Sequence, residues 1–173
     1  METSEVPSQT ESTASFARKL VLELQQAILQ HETGASAGDV EAVHNMRVGI
    51  RRLRVAIKNF AACFSKEDRQ RWRNSMEKLA NVLGDVRDLD VMIGALKSHQ
   101  ASITNATAEE QEALGLLIVR LQARRRRRLR KLLTYFRSEE YAGFKQEFLF
   151  DDAAIIDAAI ISDVAEVSHE QAI

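Results

Sequence analysis

The chain has 173 residues, 45% of them apolar and 28% charged, which is the composition of a folded protein with a single domain or two small ones. The single cysteine, Cys63, excludes an internal disulfide and a CxxC zinc site; no run approaches the roughly 18 apolar residues of a membrane span, and Glu2, Glu5 and Glu11 stand where a signal peptide would be basic and then apolar. The expectation is a cytoplasmic protein without a membrane partner.

The net charge of −1 hides blocks of opposite sign. Residues 1–43 balance to −5 and residues 44–73 to +7; residues 120–131 hold eight Arg or Lys and no acid, and residues 139–173 balance to −8. Such segregation points to a polyanionic partner, with the acidic ends as competitor or shield.

Pro7 is the one proline, and only seven glycines interrupt the chain, so an all-α fold is expected. Residues 1–14 are polar and without apolar periodicity, a tail. A first helix is predicted over about Ser15–His31, with Phe16, Leu20, Leu24 and Ile28 as its stripe and Leu22 and Ala27 widening it. Thr33, Gly34, Ser36 and Gly38 read as a loop, and Asp39 as the N-cap of a second helix. There Val43, Met46, Ile50, Leu53, Ile57, Phe60 and Phe64 are spaced 3, 4, 3, 4, 3, 4, a bundle seam that Cys63 accompanies.

A third helix is predicted over about Asp68–Leu83, with Trp72, Met76, Leu79 and Leu83 inward. Gly84 reads as its left-handed end and Asp85 as the cap of a fourth helix carrying Val86, Leu89, Ile93 and Leu96. Thr107 to Glu110 form a capping-box pattern opening a long helix to about Phe136, with Leu114, Leu117, Leu121, Leu129, Leu132 and Phe136 on its apolar side. A short helix should follow Ser138 through Tyr141, Phe144 and Phe148. Asp152 reads as the cap of a last helix bearing Ile156, Ile160, Val164 and Val167. The expected architecture is a bundle of six to seven antiparallel helices.

The second helix has a second stripe: His44, Arg47, Arg51, Arg54 and Lys58, one residue after each seam position. This makes a cationic rail about 21 Å long beside the apolar seam, flanked by Arg52. Like charges at these spacings cost about 0.2–0.5 kcal/mol per pair, so the rail sacrifices ~1–2 kcal/mol that a linear polyanion would restore. A solvated face covered by long basic stems is the plainer alternative, but such faces usually mix signs. Arg124 to Arg128 are consecutive and pass right around a helix, so at least one must point inward and needs an anion there. Arg120, Arg124, Arg127 and Lys131 are the best rail in that run, and two rails on two helices would make a groove or cavity with opposing basic walls.

Nucleic acid is the usual partner of such clusters, but aromatic residues are 6% of the chain, and Trp72, Phe60 and Phe64 fall on apolar seams, which leaves no stacking platform for bases. Nucleic acid and an acidic protein therefore rank behind a bare phosphate chain. His44 lacks an HExxH context or a second histidine at ligand spacing, and no GxxxxGK loop is present. Asp85, Asp88 and Asp90 read as caps and ion-pair partners before they read as a magnesium site. No metal, cofactor or catalytic residue is assigned.

The run from His44 to Arg54, HNMRVGIRRLR, continued by Lys58 and Phe60, and the later LGDVRDLDV from Leu83 to Val91 resemble the two signatures of the CHAD domain. The similarity covers roughly residues 15–150, with residues 151–173 as a separate acidic segment. It implies an all-α domain that binds inorganic polyphosphate through a basic central cavity, often near polyphosphate granules, and that does not itself catalyse a reaction. Carried over residue by residue, it places His44, Arg47, Arg51, Arg52, Arg54 and Lys58 in the first motif and its continuation, and Arg87, Asp88 and Asp90 in the second. Assigning Arg120, Arg124, Arg127, Arg128 and Lys131 to the opposite wall rests on charge and spacing. Members of the family look like two related bundles, and no second basic motif follows Phe150. Either the chain is about half of a longer protein, or it completes its cavity as a homodimer, for which the Ile156 to Val167 stripe is a candidate contact.

Overall fold

The computed structural model describes residues 12–148. Among the described residues the chain forms α1 (Thr13–Leu29), α2 (Glu32–Ala37), α3 (Val40–Asn59), a 3-10 turn (Ala61–Cys63), α4 (Lys66–Ser102), α5 (Ala108–Phe136) and α6 (Glu139–Gln146), with no strand. The helix expected after Asp152, and most of the polar tail, lie outside these residues.

Local chemistry sets most helix starts. The side chains of Ser12, Asp39, Ser65, Thr107 and Ser138 each accept a hydrogen bond from a backbone N–H in the first turn of the helix that follows. At Thr107 the box is complete, because the Glu110 carboxylate also accepts from the Thr107 N–H at 2.9 Å. The expected loop at 33–38 is instead the short helix α2, closed by Gly38 at φ 82°, a conformation that glycine adopts without strain.

Two expectations about the core need correction. On α1 the buried face is Ala17, Val21, Gln25 and Ile28: Ile28 is buried as expected, but the other three stand one residue on from Phe16, Leu20 and Leu24, and Phe16 stays 47% exposed with its ring edge against Phe60. A glutamine can occupy that face because its Nε2 donates to the Phe144 carbonyl at 2.6 Å, which satisfies the buried amide. The second correction is larger: the two helices expected to meet at Gly84 and Asp85 are one continuous 37-residue helix, α4. Gly84 is buried inside it, and Asp85 is a mid-helix residue on the exposed side.

The main core joins α1, α3, the first part of α4 and the C-terminal return through α6. It holds Val43, Met46, Ile50, Leu53, Ile57 and Phe64 from the expected seam, with Phe60 and Cys63 partly buried beside it. Gly49 lets α1 approach α3 closely, since a Cβ there would stand 2.6 Å from Ile28 Cγ1. Trp72 is sandwiched between Phe64 and Phe148, ring centroids 5.1 and 5.0 Å away, and its Nε1 donates to the Glu147 carbonyl. Burial pushes the Tyr135 hydroxyl up to about 12, with Glu140 and Glu147 adding to it, and raises the Glu147 carboxyl above its ordinary value. A second, smaller core of Leu89, Ile93, Ile118 and Leu121 belongs to α4 and α5 alone, so their distal halves form a two-helix hairpin with its own packing.

Candidate functional site: a cationic face between two helices

The α3 seam turns inward, and the residues one place further along lie at its edge. His44 and Arg47 are half-buried, whereas Arg51, Arg54 and Lys58 are exposed. They line two concavities between α3 and α4. The first, about 460 Å³, is bounded by His44, Arg47, Arg51, Arg54, Arg87 and Asp88 together with Val48, Ile50, Ala80 and Val91. The second, about 610 Å³, is bounded by Arg54, Lys58, Arg69, Arg73, Glu77 and Asn81 over a floor that includes Ile57 and Met76. Arg54 belongs to both, so the two are successive stretches of one face.

The wall opposite the rail is therefore α4. Sequence alone does not bring Arg87 into line with Arg69 and Arg73, because a break at Gly84 would separate it from them. On one continuous helix they share a line: residue 73 is about 40° from residue 69, and residue 87, five full turns on, returns to the same angle.

The second motif explains how the arginines are held. A Cβ at Gly84 would stand 2.6 Å from Arg47 Nη1, so the glycine makes room for that guanidinium against α4. Arg47 Nη1 then lies 3.7 Å from Asp88 Oδ1, an exposed and loose pair. Arg128 Nη1 donates to Asp85 Oδ2 at 2.8 Å. Arg125 is the inward arginine of the run, with its Nε donating to Asp90 and its Nη2 to the Gly38 carbonyl at 2.9 Å. The Asp90 side chain is 2% exposed and that of Arg125 16%, so this is a buried pair that ties α5 to α4 and to the α2–α3 turn. Each acid of the motif thus meets an arginine from another helix, and the capping roles expected for Asp85 and Asp88 do not occur.

Other expected site residues fall elsewhere. Arg52 lines a shallow concavity on the α1 side of α3, with Leu20, Val55, Asn59 and Phe60. Arg120, Arg124, Arg127 and Lys131 are exposed and make no ion pair among the described residues. Their stripe is centred about 140° around α5 from Ile118 and Arg125, which face α4. Among the described residues no group of three or more His, Cys, Asp or Glu comes together as a metal site, and no helix is long and apolar enough to cross a membrane.

No curated protein and no solved structure matches the chain. A family model described as CHAD domain matches residues 19–149, well over half of the sequence. With its two signatures lying on α3 and α4 along one cationic face, and the family model spanning both, the chain belongs to the CHAD domain family.

Proposed function

We propose that this protein binds inorganic polyphosphate along the α3–α4 face and performs no chemistry on it. The observation that carries the reading is the lining itself. Arg47, Arg51, Arg54 and Lys58 from one helix and Arg69, Arg73 and Arg87 from the other border successive concavities that share Arg54, with Glu77 and Asp88 as the acids. A flexible chain of phosphates can satisfy such a line of donors at many positions, and Arg forks suit phosphate oxygens in pairs. Membership of a family associated with polyphosphate supports the same ligand.

A nucleic acid fits less well. The residues lining the two concavities include no Phe, Tyr or Trp on which a base could stack. Arg120, Arg124, Arg127 and Lys131 stay outside the proposed face, because they point away from α4. Association with polyphosphate granules would follow from binding and needs no separate signal.

A thermal-shift titration tests the ligand class, since a ligand that binds only the native state raises the melting temperature by mass action. Long-chain polyphosphate, tripolyphosphate and single-stranded RNA are compared at equal phosphate concentration and at two salt levels. The expected result is a large shift with long polyphosphate that shrinks at high salt through counterion release, and little shift with RNA. Equal shifts for RNA and polyphosphate would make the face a general polyanion surface, and no shift with any of them would reject the reading.

A further inference from the structure

The outward stripe of α5 is a different surface from the polyphosphate face and has a pattern of its own. At its N-terminal end it carries Glu109 and Glu112, both exposed. In its middle Leu116 and Leu117 are 53% and 43% exposed, although they sit on a helix whose other side already packs on α4. Toward its C-terminal end come Arg120, Arg124, Arg127 and Lys131, all exposed. Acid, apolar and basic segments follow one another along one side of one helix. At 100° per residue, positions 109, 113, 116, 117, 120 and 124 all fall within about 50° of one line along the helix, a face broad enough for a helix–helix contact.

We propose that this stripe pairs with the same stripe of a second copy of the chain, α5 antiparallel to α5 about a two-fold axis between Leu116 and Leu117. A closed two-fold contact must be self-complementary, and this order of charges is complementary to its own reverse. With the axis at that point, Glu109 faces the partner's Arg124, Ala113 faces the partner's Arg120, and Glu112 lies within a turn of the same arginine. Leu116 and Leu117 meet their counterparts at the centre, where exposed apolar side chains gain most from leaving water.

Other occupants match only some of the pattern. A phosphate chain would meet the arginines but would be repelled by Glu109 and Glu112 and would leave the leucines wet. The acidic residues 151–173 have the same defect at the glutamates. The inference does not depend on polyphosphate binding, and its test uses none.

The full chain is analysed by sedimentation over a concentration series in moderate salt, without polyanion. Three variants accompany it: Glu109→Arg/Glu112→Arg, Arg120→Glu/Arg124→Glu, and Leu116→Glu. Circular dichroism reports whether each keeps its helix content. The pairing predicts twice the chain mass for the wild type and a monomer for each variant alone, since each puts like charges or a buried carboxylate at the axis. It also predicts that mixing the two charge variants in equal amounts restores the dimer, a result that mere loss of folding cannot give. A wild type that stays monomeric overturns the proposal. So does a dimer that survives all three substitutions, or charge variants that fail to associate when mixed.

Discussion

Arg125 shows what a guanidinium requires when the helix turns it inward. Five consecutive arginines cannot all reach water, and the one that faces the interior is met by a carboxylate that is itself buried, Asp90, and by the Gly38 carbonyl. Removing one partner of such a pair leaves an uncompensated buried charge, so Asp90→Ala should lower stability by roughly 3–5 kcal/mol. Replacing both residues, Asp90→Leu with Arg125→Met, should recover most of that loss, because no charge is then stranded. Urea denaturation of the two variants checks this, and a single substitution that costs nothing would mean the pair is not formed. That one arginine must enter the interior was legible in sequence from helix rotation alone. Which acid meets it was not, because the pair spans 35 residues and depends on how α4 and α5 are aligned.

At the scale of elements, α4 is where sequence and structure diverge. A glycine followed by aspartate has the local chemistry of a helix end and a new cap, and propensity favours a break there. The break does not occur because α4 is packed on both sides of Gly84, through Leu79 and Leu83 before it and Val86 and Leu89 after it; the glycine itself leaves room for Arg47 to cross. The acids after it pair with arginines of α3 and α5 instead of with a helix N-terminus. Gly84→Ala separates the two roles. Alanine in a helix interior is worth up to ~1 kcal/mol over glycine, and the atom it meets is the end of a flexible side chain, so the denaturation midpoint should hold or rise. Polyphosphate affinity should fall several-fold as Arg47 is displaced, measured by titration on the same sample. A variant that is destabilised yet binds normally would contradict this. Other elements were legible because their signals are local: the caps at Asp39, Thr107 and Ser138 and the seam of α3 each depend on residues within a few turns. The one-residue rotation of α1 was not, since Gln25 becomes a core residue only through a bond to the distant Phe144.

For the whole molecule, the near-zero net charge conceals a division of labour among surfaces. The α3–α4 side concentrates cations around two concavities, and the outward side of α5 alternates acid, apolar and basic segments. The rail on α3 was legible as a stripe beside the seam, because one residue of helix rotation turns a buried position into an edge position. Of the wall that faces it only Arg87 was marked, through the second motif, since the expected break at Gly84 concealed that Arg69 and Arg73 lie on one line with it. The measurement that tests the central claim most directly is the affinity of the Arg51→Glu/Arg54→Glu double variant for long-chain polyphosphate, with its helix content followed by circular dichroism. Both side chains are exposed, so the fold should survive. Losing two charge-assisted contacts and adding two repulsions should weaken binding by roughly a hundredfold or more. Unchanged affinity in a folded variant would contradict the account and place the ligand elsewhere on the molecule.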